Sequence, residues 1–227
     1  MTNKKLLIAC SKNWFFDNTE VKKFLKSNKG KIQIISKRND FSLKRLDKIQ
    51  PDVIFFPHWS YLVEKKIIDK FKCICFHAAP LPYGRGGSPL QNLITKNFKH
   101  TPIYALKMTK NIDAGDIYLK QNLSLKGDLN DIFNAMALKI LKMIKIILKK
   151  KIKPKKQSGN VLYFKRLKKS NSEITTEKSL NQIYDKIRML DSDYYPRAFI
   201  KIGKFKVIFF KSVKRKNMIQ CHAKIIK

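Results

Sequence analysis

The stretch Phe76-His-Ala-Ala-Pro-Leu-Pro-Tyr-Gly-Arg-Gly-Gly-Ser-Pro89 is the most informative part of this chain. It follows Lys72-Cys-Ile-Cys-Phe76, an apolar run of strand length, so His77 lies where a strand ends and a loop begins. Enzymes of the α/β class bind ligands at this carboxyl edge of their sheet. Three glycines and three prolines follow His77, and they give the loop an unusual fixed shape because proline locks φ and glycine permits positive φ. This composition indicates a loop that holds a ligand.

Apolar runs of strand length alternate with segments of helical spacing. Strands are predicted at Leu6–Cys10, Lys31–Ser36, Val53–Phe56, Cys73–Phe76, Ile103–Thr109 and Ile117–Leu125. Helices are predicted at Asn18–Ser27, Leu43–Ile49, Leu62–Phe71, Ser88–Lys96 and Asn130–Lys151. Buried strands that are each followed by a helix are typical of a parallel sheet covered on both faces. The fold class is therefore α/β, with a doubly wound, mostly parallel sheet. No Gly-x-Gly-x-x-Gly segment follows the first strand, which argues against a nicotinamide cofactor.

The lysine-rich segment Lys149–Lys156, with Pro154 inside it, is the best candidate for a domain boundary. We assign residues 1–152 to the α/β domain and residues 157–227 to a small C-terminal α+β extension. Within the extension we predict strands at Val161–Phe164, Ala198–Ile202, Phe205–Lys211 and Met218–Ile226, and a helix around Leu180–Leu190.

Several features favour a reduced, cytoplasmic protein without a membrane span. No apolar run approaches the roughly 20 residues that a spanning helix requires. Leu7-Ile-Ala-Cys10 imitates a lipoprotein cleavage box, but its apolar stretch is too short for a secretion signal and favours a buried first strand. The four cysteines form no Cys-x-x-Cys pair, which favours reduced thiols. No cluster of His, Asp or Glu has the spacing of metal ligands.

The formal net charge of +34 leaves two interpretations open. Only seven of the 50 basic residues are arginine, and lysine is spread along the whole chain. One interpretation is compositional drift that places lysine on every solvated face. The other is a functional attraction for anions, which either a phosphorylated small molecule or RNA would satisfy.

Three spaced motifs resemble those of the folate-dependent formyltransferases. The family pattern of Asn-x-His, then Leu-Pro-x-x-Arg-Gly, then Leu-Asp-x-Gly-Asp is matched in order by Cys75-Phe-His77, Leu81-Pro-Tyr-Gly-Arg85-Gly86 and Ile112-Asp-Ala-Gly-Asp116. The resemblance implies that 10-formyltetrahydrofolate is the formyl donor and that His77 and Asp113 are catalytic. Histidine suits proton transfer near neutral pH, and a neighbouring carboxylate holds the ring in orientation. Asp116 either contacts the folate or binds the backbone amides of its own turn.

Cys75 stands where the family has an asparagine that donates a hydrogen bond to the oxyanion. A thiol is a weak donor, and loss of an oxyanion donor typically costs about 10²–10³ in rate. Three alternatives follow: another donor replaces the asparagine, the enzyme is slow, or the protein is not a catalyst.

The resemblance also assigns residues to two binding regions. The donor region comprises Phe56, His58, Trp59, Tyr61, Asp113 and Asp116. The acceptor region comprises Tyr83, Arg85, Gly86, Gly87, Ser88 and Arg166. Folate is thereby expected between the Phe56–Tyr61 loop and His77.

The short C-terminal part guides the expectation for the acceptor. Only about 70 residues follow Lys156, which leaves little room for the five-stranded barrel of typical methionyl-tRNA formyltransferases. We therefore expect a bacterial sugar N-formyltransferase that acts on a UDP- or dTDP-linked amino sugar, such as a UDP-4-amino-4,6-dideoxy-N-acetylhexosamine. Nucleic acid and membrane partners are not expected, and homodimerisation through the C-terminal strands is suggested by analogy. The alternatives are a methionyl-tRNA formyltransferase of reduced size and a non-catalytic folate- or nucleotide-binding protein.

Overall fold

The computed structural model describes residues 4–227 of the chain. Its strands are β1 (Leu6–Cys10), β2 (Ile32–Ile35), β3 (Val53–His58), β4 (Cys73–His77), β5 (Tyr83–Gly86), β6 (His100–Lys107), β7 (Ile117–Ser124), β8 (Leu162–Phe164), β9 (Phe199–Ile202), β10 (Phe205–Lys214) and β11 (Ile219–Ile226). Its helices are α1 (Trp14–Asp17), α2 (Thr19–Ser27), α3 (Leu43–Ile49), α4 (Lys65–Lys70), α5 (Pro89–Thr95), α6 (Leu129–Lys149) and α7 (Leu180–Arg188). Most predicted elements are present, but the helix expected at Leu62–Phe71 shortens to α4.

A six-stranded sheet with the order β2-β1-β3-β4-β6-β7 forms the centre of the fold. The first four strands of this order are parallel, and β6 and β7 add an antiparallel edge. The predicted fold class, α/β with a mostly parallel sheet, is confirmed. Because β1, β3 and β4 are parallel and adjacent, the loops that follow them meet at one edge of the sheet, where α/β proteins bind ligands.

Side chains of the buried strands alternate between the two faces of this sheet. In β1, Leu6 and Ile8 pack into the larger cluster, which also contains the buried face of α6. Leu7 packs into a second cluster on the other face, with Leu46 of α3 and Ile67 of α4. This alternation follows from the two-residue period of a strand and explains why β1 is apolar at every position.

The long helix α6 begins at a reciprocal cap. The Asp128 carboxylate accepts a hydrogen bond of 2.9 Å from the Asp131 amide, and the Asp131 carboxylate accepts one of 3.2 Å from the Asp128 amide. The helix then buries a stripe of apolar side chains that includes Phe133, Met136 and Ile140. None of the helices within residues 4–227 combines the length and apolar character that a membrane span requires.

The C-terminal part contains α7 and an antiparallel sheet with the order β11-β10-β9. It is tied to the α/β part by Arg188, whose guanidinium donates to the carbonyls of Leu125 at 2.6 Å and Gly127 at 2.8 Å. Strand β8 also belongs to the C-terminal part of the chain. It pairs in parallel with β5, which lies in the loop that follows His77. The division into residues 1–152 and 157–227, and self-association through the C-terminal strands, stay predictions.

Candidate active site

His77 and Asp113 form a buried pair at the carboxyl edge of the central sheet. His77 is the last residue of β4, and Asp113 lies in the turn between β6 and β7. The His77 Nδ1 atom lies 3.3 Å from the Asp113 Oδ2 atom, and the two side chains are 7% and 17% exposed. His77 Nε2 lies 2.8 Å from the carbonyl oxygen of Gly84. Both ring nitrogens therefore face oxygen acceptors, and the ring is held in one orientation.

The Asp113 turn has a left-handed backbone conformation. Asp113 has a φ of +51°, in the left-handed region that non-glycine residues rarely occupy. Its Oδ2 atom also accepts a hydrogen bond of 2.9 Å from the amide of Gly86. One carboxylate oxygen thus contacts both the His77 ring, at the end of β4, and the glycine-rich loop.

Gln157 braces the same turn, although no sequence pattern predicted it. Its side-chain amide donates to the carbonyls of Asp113 at 2.7 Å and Gly115 at 2.9 Å. Its carbonyl oxygen accepts from Arg85 Nη2 at 2.9 Å and Arg85 Nε at 3.2 Å. No motif marks Gln157, which directly follows the lysine-rich segment Lys149–Lys156 that was interpreted as a domain boundary.

The loop Phe76–Pro89 contains the strand β5, where the sequence predicted irregular structure. Gly87 donates its amide to the Phe164 carbonyl over 3.0 Å and so extends the pairing with β8. An added Cβ at Gly86 would lie 2.7 Å from that same carbonyl, so the close approach of the two strands requires glycine. The glycines are needed because the backbone of β5 comes close to another part of the protein. That other part is β8, which lies 76 or more residues further along the chain, so no local sequence pattern predicts the pairing.

A cleft of about 800 Å³ opens at this edge of the sheet. The predicted site residues that line it are Cys75, His77 and Asp113, the loop residues Phe56, His58, Trp59 and Tyr61, and Gly86, Gly87, Ser88 and Arg166. Lining residues that the sequence analysis did not select include Lys12, Lys107, Lys110 and Tyr195. Among the described residues, no three His, Cys, Asp or Glu side chains lie close enough together to hold a metal ion.

Three predicted site residues contact other parts of the protein and do not line the cleft. Tyr83 stacks on Phe98 and packs edge-on against Phe164, with centroid distances of 6.2 and 5.4 Å. Arg85 binds Gln157, as described above. Asp116 uses its backbone carbonyl to accept from the Lys107 amide at 2.8 Å. None of the three is among the cleft-lining residues.

An aromatic cluster forms the wall that follows β3. The Trp59 ring lies 5.1 Å from Phe41 and 5.4 Å from Tyr61, measured between centroids. The Trp59 indole N–H is buried and has no hydrogen-bond partner among the described residues. A buried donor without a partner is costly, and because protein atoms shield this N–H it can reach an acceptor in the cleft only if the wall shifts.

Two titratable side chains of the cleft, Cys75 and His58, have pKa values shifted by their surroundings. Burial, reinforced by the negative charge of Asp113, raises the pKa of the Cys75 thiol far above its ordinary range. Burial, together with the charges of Lys12 and Arg166, lowers the pKa of His58 to about 4. At neutral pH Cys75 is therefore a thiol rather than a thiolate, and His58 is uncharged.

Comparison with known proteins identifies the family. The family model described as methionyl-tRNA formyltransferase, C-terminal domain, matches residues 169–226. The structure of a methionyl-tRNA formyltransferase from Clostridium thermocellum is 41% identical, covers 98% of each chain and has a TM-score of 0.92. This chain belongs to the folate-dependent formyltransferase family.

Curated relatives of this family member are also methionyl-tRNA formyltransferases. The protein from Clostridium botulinum is 30% identical over 74% of this chain and 58% of its own length. The protein from Rickettsia prowazekii is 32% identical over 71% of this chain and 55% of its own length. The chain thus spans little more than half the length of these curated relatives.

Two distant structures share the fold of this family member. HypX from Aquifex aeolicus, solved in complex with tetrahydrofolic acid, is 15% identical over 93% of this chain and 38% of its own, with a TM-score of 0.75. A 4-N formyltransferase from Francisella tularensis is 19% identical over 88% of this chain and 93% of its own, with a TM-score of 0.63.

These relatives correct the predicted acceptor. A nucleotide-linked amino sugar was expected, and nucleic acid was not, but the relatives at 30–41% identity are methionyl-tRNA formyltransferases. That prediction was wrong because it took a short C-terminal part as a mark of the sugar enzymes. The chain in the Clostridium thermocellum structure is covered to 98% by this chain, so a C-terminal part of this length also occurs in a structure of a methionyl-tRNA formyltransferase. The family model for the C-terminal domain is matched within 58 residues, from 169 to 226.

Proposed function

We propose that this protein transfers a formyl group from 10-formyltetrahydrofolate to the amino group of methionyl-tRNA. The observation that carries the proposal is the His77–Asp113 pair, held at 3.3 Å at the edge of an open cleft. The 41% identity to a methionyl-tRNA formyltransferase over nearly the whole chain supports this acceptor.

The cleft has the size and the wall that the folate donor needs. Its volume of about 800 Å³ lies within the range of roughly 300–1,000 Å³ that is usual for small-molecule sites. The Trp59 wall offers flat aromatic surface on which a heterocycle such as a pterin can pack. Phe56, buried beneath Trp59, keeps that wall in place.

Formyl transfer to an amine requires proton removal from the attacking nitrogen and proton return to the nitrogen that leaves. The proposal gives this proton transfer to His77, whose Nδ1 stays against Asp113 while Nε2 exchanges the Gly84 carbonyl for the substrate. Asp113 keeps the ring oriented and stabilises the charged form of the imidazole that arises on proton uptake. Cys75, as a neutral thiol, is only a weak donor, so the proposal gives it no part in stabilising the developing oxyanion.

The charges around the cleft favour a polyanionic acceptor. Lys12, Lys107, Lys110 and Arg166 line it, whereas Asp113 is the one carboxylate among the described lining residues. The chain as a whole has a formal net charge of +34. Such a field increases the association rate of a nucleic acid and makes its binding depend strongly on salt.

The test is formylation of methionyl-tRNA by the purified chain with 10-formyltetrahydrofolate, followed by product analysis. We expect N-formylmethionyl-tRNA, a steep decrease of kcat/KM with salt, and no formylation of UDP- or dTDP-linked amino sugars. His77→Ala and Asp113→Asn should each lower kcat by about 10²–10⁴ while circular dichroism stays unchanged. The proposal is wrong if methionyl-tRNA is not formylated, or if both variants keep near-normal rates.

A further inference from the structure

Lys12 and Arg166 form a cationic corner of the cleft, and the general positive charge does not explain which group this corner binds. Lys12 follows β1, and both residues line the cleft that contains His77. The inference below rests on the proposed function, because it concerns how the same cleft selects its acceptor.

Lys12 is held in place by the C-terminal part of the chain. Its ammonium group donates to the carbonyl of Tyr194 and lies 4.5 Å from the centre of the Tyr195 ring. A cation at this distance from an aromatic face is attracted by the ring. An ammonium group has three N–H donors, so donors remain for a ligand.

Arg166 is also fixed, through its backbone. The amide of Leu167 donates to the Ser88 hydroxyl at 3.1 Å, and Asn92 donates to the Lys165 carbonyl at 3.1 Å. An added Cβ at Gly87 would lie 2.5 Å from the Cα atom of Arg166, so the two backbones are in close contact. The backbone of Arg166 is thereby anchored on both sides, while the residue is exposed and lines the cleft.

The two cations lie near each other without a carboxylate to balance them. Burial and the charge of Arg166 lower the pKa of Lys12, and both cations contribute to keeping His58 neutral. Within residues 4–227, no ion pair includes either Lys12 or Arg166. Like charges that a fold holds together are relieved by a bound anion, and a guanidinium fork suits phosphate oxygens.

The position of this corner relative to His77 suggests which anion it binds. Strands β1 and β4 are separated by β3 alone, so their ends lie about 10 Å apart at the usual strand spacing. In an aminoacyl nucleotide, the ester and the ribose lie between the reacting amine and the 5′-phosphate. With the amine at His77, that phosphate comes within reach of the corner.

We propose that Lys12 and Arg166 form an anion subsite that binds the 5′-phosphate of the acceptor's terminal nucleotide. The subsite would distinguish a nucleotide-linked aminoacyl ester from a simple amine. The subsite also gives these two cationic side chains a specific function, distinct from the general attraction that the net positive charge exerts on anions.

The test compares two acceptor fragments that differ only in the phosphate: methionyl-adenosine and its 5′-monophosphate. In the unmodified protein, the phosphate should raise kcat/KM for formyl transfer by about tenfold or more. In Lys12→Met and Arg166→Gln this advantage, taken as the ratio of kcat/KM for the two fragments within each variant, should fall below about threefold. Lys142→Met, an exposed lysine on α6, is the matched control and should keep the full advantage.

A binding measurement separates this inference from the proposed function. By titration calorimetry, AMP should bind the unmodified protein at least about tenfold more tightly than adenosine, and Lys12→Met should remove the difference. This readout does not require formyl transfer. Equal binding of AMP and adenosine overturns the subsite even if methionyl-tRNA is formylated. A raised KM for 10-formyltetrahydrofolate in the two variants, with the phosphate advantage intact, also overturns it, because the corner would then serve the folate carboxylates.

Discussion

The side-chain amide of Gln157 donates a hydrogen bond of 2.7 Å to the backbone carbonyl of Asp113. Through Arg85 the same side chain is tied to the loop whose Gly86 amide binds the Asp113 carboxylate. These contacts close a ring that runs from the Asp113 side chain through β5 and Gln157 back to the Asp113 backbone. The ring keeps Asp113 at its positive φ and so fixes the carboxylate against His77.

We expect Gln157→Ala to lower kcat by about 10- to 100-fold, because a displaced Asp113 no longer holds the His77 ring. KM for both substrates should change little, since Gln157 is not among the cleft-lining residues. Steady-state kinetics on the variant measure the change in kcat separately from the change in KM. The matched control is Gln121→Ala, on β7 away from this ring, which should keep normal kcat. An increase of KM with unchanged kcat in Gln157→Ala would contradict a positioning role.

The Cys75 thiol should be dispensable. Burial raises its pKa far above the ordinary range, so at neutral pH it is neither a nucleophile nor a good hydrogen-bond donor. Cys75→Ala should therefore keep kcat within about threefold, as measured in the formyl-transfer assay. A fall of two orders of magnitude would mean that the thiol contributes to the chemistry after all.

Gly115 should tolerate no side chain. An added Cβ would lie 1.6 Å from the carbonyl oxygen of Lys107, so the β6–β7 turn must open to accept it. We expect Gly115→Ala to cost about 3 kcal/mol, which lowers Tm by roughly 10 °C, and to abolish activity because Asp113 lies in the same turn.

Gly30→Ala is the control for this substitution. Gly30 has a φ of +87° but no atom within 4 Å of an added Cβ, so only backbone strain of about 1 kcal/mol is expected. Thermal unfolding and activity of the two variants provide the comparison. Equal decreases in Tm would show that steric exclusion at Lys107 is not the cause.

The sequence predicted those parts of the site that follow from local pattern. An apolar run ending in His77 predicts a buried strand with a polar side chain at the ligand edge, and the structure places His77 there. The resemblance to a known family paired it with Asp113, and the two side chains are in contact. Strand and helix periodicity were enough for the fold class, because burial on both faces of β1 and β3 leaves continuous apolar runs.

The sequence did not predict contacts between distant residues of common types. Gln157 is an ordinary polar residue in a lysine-rich segment, and only the fold brings it 42–44 positions back to the Asp113 turn. Lys12 is one of 50 basic residues, and nothing local distinguishes it from the solvated ones. Strand β5 exists because β8 pairs with it, so a glycine-rich segment that predicts a loop becomes a strand.

His58 should make the stability of the fold depend on pH. In the folded protein its pKa is about 4, below the ordinary value of 6.5, because it is packed in the cleft beside Lys12 and Arg166. The unfolded chain therefore binds a proton first as pH falls. Stability is complete above about pH 6.5, decreases between about pH 6.5 and 4, and changes no further through this group below that.

The full pKa difference corresponds to about 3 kcal/mol, and we expect a smaller loss because His58 keeps some solvent access. Urea unfolding at about pH 7 and about pH 4.5 measures it, and His58→Gln should remove that part of the decrease. His100→Gln, at an exposed histidine, should leave the decrease unchanged. If His58→Gln loses as much stability as the unmodified protein over this interval, His58 is not the titrating group. The loss of stability at low pH would then come from protonation of other groups.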